Sequence, residues 1–256
     1  MDDYLRIQCF GSSKVPINNW IVGSGPTINR LIYVLGGDGG YIKNGQKFPF
    51  IKGHIYILPG LADIVMYTSY DPPENRLDHT FMNFELLPPI ISKDVLEIDP
   101  NAIAEVKSAL DTLHLICVKS KNHLTSLLDK WDVEYLRSTA VYLVKKMIEN
   151  SSVQFLDEPI VLKALEKMHM DLKNAPSVQE LAKDCAMSVD GFIRKFTKNL
   201  GETPYSYLKK LKVSAAIEYK RRGVPLEIIA EKCGYADAST LLHAISSTQK
   251  KEASFR

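Results

Sequence analysis

Leu181-Ala182-Lys183-Asp184-Cys185-Ala186-Met187 returns as Ile229-Ala230-Glu231-Lys232-Cys233-Gly234-Tyr235, an offset of 48 residues (229 − 181). Each copy reads apolar, Ala, charged, charged, Cys, small, bulky, and each runs on into a second helical stretch. These letters describe a helix-turn-helix. A small Ala lets the second helix approach closely, a small residue permits the tight turn, and the apolar residues lock the two helices at a fixed angle. The unit is written twice, which implies two helices offered to DNA.

Working outward, Pro176-Ser177 opens one helix and Ser188 caps the next. Gly201-Glu202-Thr203-Pro204 ends that helix and starts a long one, over about Pro204 to Arg222. At about 1.5 Å per residue the long helix covers roughly 28 Å. It would join the two units, so that their second helices lie about one DNA turn, roughly 34 Å, apart. The segment 159–256 carries 17 Lys and Arg against 11 Asp and Glu, and residues 1–158 carry 15 against 19, so +6 and −4 give the net +2. Positive charge on the part that carries the repeat is what binding a phosphate backbone requires.

The preceding part has a different period. Leu31–Leu35, Gly40–Lys43, His54–Leu58 and Phe81–Phe84 read as strands, separated by Gly36-Gly37-Asp38-Gly39, Asn44-Gly45 and Pro59-Gly60. Short strands with hairpin or loop signals at regular spacing suggest a small antiparallel barrel or a double-sheet roll, and a compact β-barrel is the expectation. After Pro88-Pro89 the apolar residues recur at helical spacing. Ala102–Cys117 aligns Ile103, Val106, Leu110 and Leu113, and Val133–Ile148 aligns Leu136, Ala140, Leu143 and Met147. The second of these is a candidate dimer helix, and it serves equally as a helix that covers the barrel. A polar break at Glu149-Asn150-Ser151-Ser152 and a helix start at Asp157-Glu158-Pro159 mark the linker. The predicted fold class is α+β in two domains, residues 1–152 and 159–256.

Several functions are excluded or disfavoured. No apolar run of membrane-spanning length occurs, and Met1-Asp2-Asp3 is acidic where a secretory signal would be basic, so a cytoplasmic protein with no membrane partner is expected. Cys9, Cys117, Cys185 and Cys233 are scattered without a CxxC, which suggests neither a disulfide frame nor a zinc site. Metal-dependent barrels use an HxH pair, since imidazoles spaced by two project from one face. Here His54 and His79 stand alone, so no metal, no cofactor and no catalytic group is expected. Gly23-Ser24-Gly25 and the Gly36–Gly40 run lack the GK[ST] of a phosphate loop and read as hairpin turns.

The helical part resembles the AraC/XylS family of bacterial transcription regulators. The resemblance runs through Leu181-Ala182, Met187-Ser188, Phe192, Arg194, Phe196, Gly201, Thr203-Pro204, Tyr207-Leu208, Lys212, Ala216, Leu226, Ile229-Ala230, Gly234-Tyr235 and Asp237. The barrel, with Gly53–Pro59, looks like the cupin-type effector domain that often precedes such a half. The resemblance implies a DNA-binding regulator that is not an enzyme, controlled by a small-molecule effector or by dimerisation through its first domain. Its partners would be double-stranded DNA, RNA polymerase and a second copy of the chain.

Carried over by position, the first recognition helix presents Asp190, Gly191, Ile193 and Arg194 to the groove, with Lys195, Thr197 and Lys198 nearer the phosphates. Arg194 can take guanine bidentately, or it can bond a phosphate or a nearby Asp. The second unit departs from the pattern. It has Leu242 on the groove side, His243 in place of an Arg, and Ser246-Ser247 in place of paired lysines, while Lys250 and Ala253 replace Gly201 and Pro204. Ser239 and Leu242 still suit a base or phosphate contact and a thymine methyl. On the barrel, Tyr33, Tyr41, Tyr56, His79 and Asn83 are candidate effector contacts, or else half-exposed strand residues. Two further readings follow: a regulator-derived module that acts through protein partners, and a cupin enzyme with an appended helical domain.

Overall fold

The computed structural model describes residues 5–14, 20–21, 28–62, 64–68, 76–119, 130–221 and 223–254. The first part of the chain contributes β1 (Leu5–Lys14), β2 (Trp20–Ile21), β3 (Ile28–Gly36), β4 (Gly39–Lys43) and β5 (Gln46–Pro49). It continues with β6 (Ile55–Leu58), β7 (Ile64–Thr68), β8 (Asp78–Leu86) and β9 (Leu96–Ile98). These form a five-stranded sheet, ordered β1-β8-β3-β6-β9, and a four-stranded sheet, ordered β2-β7-β4-β5. All pairings between these strands are antiparallel among the described residues.

The expected compact barrel is therefore corrected to a two-sheet sandwich, nearer to the alternative of a double-sheet roll, since no strand ladder joins the sheets among the described residues. The reason lies at two of the glycine-rich breaks. Gly36–Gly39 and Pro59-Gly60 are not hairpins: each carries the chain from the five-stranded sheet across to the four-stranded one. Asn44-Gly45 is a true two-residue hairpin between β4 and β5, with both residues at positive φ (51° and 77°), as a turn matching the strand twist requires. The Gly23-Ser24-Gly25 turn lies outside the described residues.

Strand alternation divides the buried residues between two cores. Ile32 and Val34 of β3, Tyr56 and Leu58 of β6, and Ile64 and Met66 of β7 meet between the sheets. Leu31, Ile55, Ile57, Met82 and Phe84 point the other way, onto α1 (Ala104–Lys119) and α2 (Lys130–Glu149). Three layers result: sheet, sheet, helix pair. The apolar face of α2, with Ala140, Leu143, Val144 and Met147, is spent on the five-stranded sheet, so of the two roles open to this helix that face performs the covering one.

Among the described residues six further helices follow: α3 (Pro159–Met170), α4 (Val178–Asp184), α5 (Val189–Leu200), α6 (Pro204–Arg221), α7 (Leu226–Lys232) and α8 (Ala238–Ser254). Among the described residues, no helix is long and apolar enough to cross a membrane. Their boundaries follow from caps. Ser177 and Glu180 form a reciprocal capping box at α4, Ser188 Oγ accepts the Gly191 N–H at 3.2 Å at α5, and Gly201 closes α5 in the left-handed region.

Two helical cores share α6. Tyr207 and Leu211 join Val161, Leu165, Leu181, Phe192 and Phe196 in one, whereas Val213, Ala215 and Ala216 join Ile229, Ala230, Leu241 and Ile245 in the other. Leu61, Leu87 and Ile91 of the sandwich part pack against the first core, together with Leu156 of the connecting strap. That strap is stitched on by Leu156 N–H to the Pro89 carbonyl (3.0 Å), Ile91 N–H to the Gln154 carbonyl (2.9 Å) and Gln154 N–H to Ser92 Oγ (2.7 Å).

Candidate nucleic-acid interface

Helix α5 has two faces with opposite characters. Phe192, Phe196 and Leu200, spaced by four, are buried against α3, α4 and α6. Asp190, Arg194 and Lys198, also spaced by four, form the exposed stripe on the far side. Among the described residues neither Arg194 nor Lys198 has an ion-pair partner, so both are available to a ligand in solvent. A capped helix anchored by two phenylalanines and carrying two uncommitted cations on its outer face can enter a major groove and meet base edges and phosphates.

The other residues assigned to this helix are placed differently. Gly191 is explained by the cap, since a Cβ there would stand 2.9 Å from Ser188 Oγ. Ile193 is half-buried beside the stripe. The Thr197 hydroxyl oxygen is buried with no hydrogen-bond partner among the described residues, so it points away from the exposed stripe. Lys195 Nζ lies 3.0 Å from Glu158 Oε2. No spacing rule could have flagged Glu158, because the two residues are 37 apart in sequence.

The second unit repeats the geometry with one residue added. Cys185 and Cys233 end α4 and α7 alike, and Ala186 (φ 52°) and Gly234 (φ 67°) make the same left-handed step. The cap then falls at Asp237, whose Oδ1 accepts the Thr240 N–H at 2.7 Å, so the helix register shifts from an offset of 48 to 49 (237 − 188). In that register Leu241 and Ile245 replace Phe192 and Phe196, and His243 stands where Arg194 does. Ser239, Leu242, His243 and Ser246 are exposed, and residues 238–249 contain no charged side chain. Lys209 of α6, 3.4 Å from Ser247 Oγ, is the cation placed beside this helix. With no glycine at position 250, α8 continues to Ser254.

In the sandwich, Tyr41 and Tyr56 lie in the core between the sheets, both against Phe50, with ring centroids 5.9 and 4.6 Å away. Burial pushes the Tyr56 hydroxyl well above its ordinary range, and its oxygen accepts the Ile51 N–H at 2.8 Å. On β8, His79, Phe81 and Asn83 are opposite Val34, Ile32 and Arg30 and so share the inward face. Arg30 Nε donates to Asn83 Oδ1 at 2.8 Å, with its guanidinium 5.5 Å from the Phe81 ring centre. Arg30 was legible from alternation with Ile32 but is not among the sequence candidates. Tyr33 belongs to the opposite face, edge-on to His114 of α1 at 6.5 Å. His54 pairs with Glu97 at 2.9 Å, and no cluster of three metal-ligating side chains occurs among the described residues.

No family model matches the chain. Over 87 residues it is 32% identical to a putative AraC-like transcription regulator of Streptomyces antibioticus, a stretch covering 34% of this chain and 29% of that relative's length. It is 24% identical over 227 residues to an uncharacterised HTH-type transcriptional regulator, YbfI, of Bacillus subtilis, covering 78% of this chain and 76% of the relative. Among solved structures, ToxT from Vibrio cholerae matches 95% of this chain and 94% of its own with a TM-score of 0.62 at 11% identity. Wild-type ToxT bound to an unsaturated fatty acid matches 96% and 92% with a TM-score of 0.61 at 10% identity. The resemblance read from the residues thus extends to relatives named as AraC-like and HTH-type regulators, and the fold, sandwich and helical part together, is that of ToxT.

Proposed function

We propose that this chain is an AraC-type transcription regulator that binds double-stranded DNA sequence-specifically through α5 and is controlled by a small molecule taken up by its N-terminal part. The observation that carries this reading is the stripe of Arg194 and Lys198 on the solvent side of a helix whose other side is fixed by Phe192 and Phe196. A division into an effector part, residues 1–152, and a DNA-binding part, residues 159–256, is supported by the separate cores of the sandwich and of the last helices. Relatives named as regulators favour a binding function over catalysis, and a DNA-binding role would put the chain in the cytoplasm.

For the effector, ToxT with a bound unsaturated fatty acid provides the analogy. Here Tyr41, Tyr56, His79 and Asn83 on the inner faces of the sandwich, with Arg30 beside them, would receive an amphipathic or acidic molecule. A homodimer would use the solvent face of α1 and α2, since the apolar face is occupied. Ser108, Thr112, Tyr135 and Tyr142 border a groove of about 450 Å³ there. RNA polymerase is the partner that a regulator of this type would contact.

The charge-free start of α8 favours a second reading, a regulator-derived module that works through protein partners. Fluorescence anisotropy of the protein with DNA from upstream of its own coding region, and with scrambled DNA, across a salt series separates the two. The regulator prefers the native fragment and loses that preference in Arg194→Ala; equal weak binding to both, unchanged by the substitution, leaves the module.

A further inference from the structure

Lys195 follows Arg194 on α5 and leaves the helix on the flank of the exposed stripe, the side from which a long side chain reaches the phosphates bordering a groove. Its ammonium is occupied by Glu158 Oε2 at 3.0 Å, with the two side chains 33% and 26% exposed. Glu158 is the residue through which the strap enters α3. Two residues earlier, Leu156 is buried against Leu61, Leu87 and Ile91 and donates its N–H to Pro89. The carboxylate is thus positioned by the sandwich part and the ammonium by the recognition helix.

A carboxylate oxygen at this distance offers an ammonium what a DNA phosphate offers, an anionic acceptor in a charge-assisted hydrogen bond. The bond from Lys195 holds the Glu158 carboxyl below its usual range, so Glu158 stays a carboxylate at neutral pH. Arg194 and Lys198 are not engaged in this way. Of the three cations on α5, one is held by a group that the rest of the protein positions.

Resting on the DNA-binding reading, we infer that Glu158 is an internal stand-in for a DNA phosphate: it occupies Lys195 in the free protein and must release it before Lys195 reaches the backbone. The seating of the strap then sets part of the affinity, without regard to base sequence. A simpler effect, repulsion of DNA by the Glu158 charge, would act whether or not Lys195 is present.

The test uses the full chain as wild type, Glu158→Gln, Lys195→Gln and the double variant, each titrated with a random-sequence duplex across a salt series. Gln keeps the length and an acceptor oxygen of Glu158, and circular dichroism melts verify that each variant is folded. Glu158→Gln should tighten binding about two- to fivefold and steepen the log–log salt dependence by about 0.9, the increment for one further phosphate. Neither change should occur when Lys195 is already Gln. An unchanged Glu158→Gln, or an equal gain in both backgrounds, overturns the inference while leaving DNA binding intact. Failure of wild type to bind duplex at any salt removes the DNA-binding reading and this inference with it.

Discussion

Gly234 lies so close beneath Lys173 that a Cβ on it would stand 2.5 Å from the Lys173 carbonyl oxygen. The turn of the second helix pair is pressed against the chain that follows α3, and Lys212 Nζ closes the same space at 2.9 Å. Burial lowers the Lys212 ammonium below the ordinary lysine range.

Gly234→Ala meets both a backbone clash and a φ of 67°. We expect a loss of about 3 kcal/mol, seen as a lower thermal midpoint. Ala186 tolerates φ 52° at the equivalent place, and it is exposed. Wild-type melting of Gly234→Ala would mean that the close approach does not exist in solution.

Tyr235 follows that turn with its hydroxyl buried, without a hydrogen-bond partner among the described residues, and pushed up to about 12 chiefly by burial. Removing an unsatisfied buried hydroxyl costs no bond, so Tyr235→Phe should be neutral or stabilising by up to about 1 kcal/mol. Urea unfolding decides, and clear destabilisation would show that the hydroxyl has a partner, such as an ordered water.

The two recognition helices should differ in how their substitutions act. Arg194→Ala should cost about tenfold or more in preference for the native site, and Lys198→Ala should weaken all sequences and flatten the salt dependence by about 0.9. His243→Ala should leave the salt slope unaltered, because residues 238–249 contain no Lys or Arg to meet a phosphate. A slope that falls with His243→Ala would place an imidazolium on a phosphate.

Acid should loosen the helical part. Glu180 is held below its ordinary value of 4.5 by the Ser177 N–H, and Asp237 below 3.8 by the Thr240 N–H. Lys167 and Lys173 lower Asp184 and Glu231 in the same direction. A depressed carboxyl contributes stability that is complete above its unfolded value and lost as pH falls through its folded one. Urea midpoints should therefore be level from neutrality to about pH 5 and fall below about pH 4. Glu180→Gln and Asp237→Asn should lower the plateau and shrink the acid drop; a profile level to pH 3 in wild type would contradict the assignment.

How much of this was legible depends on how local the signal is. Ser177, Ser188 and Gly201 mark helix ends through bonds spanning three or four residues, and Pro204 marks one by its fixed φ, so α4, α5 and α6 could be read directly. Lys250, standing where the first unit has Gly201, accounts for the longer α8. The sandwich was harder, because β1 pairs with β8 and β3 lies between β8 and β6. Such partners are fixed by packing at long sequence separation. Alternation grouped His79, Phe81 and Asn83 on one face, but β6 is buried on both of its faces, and no pattern within it says which side meets the sheet and which the helices. β3 is likewise buried on both faces, which is why Tyr33 was grouped with residues it does not face, whereas Lys195 was grouped with groups free to meet phosphate because Glu158 is 37 residues away.

Helix α6 runs unbroken for 18 residues from one core into the other, so on the proposed reading it acts as a caliper whose jaws are α5 and α8. A rigid caliper has a single gauge. An operator lengthened by half a helical turn between the two contact zones, about 5 base pairs, would turn the second zone to the far side of the duplex, where α8 cannot follow. Binding would then rest on α5 alone.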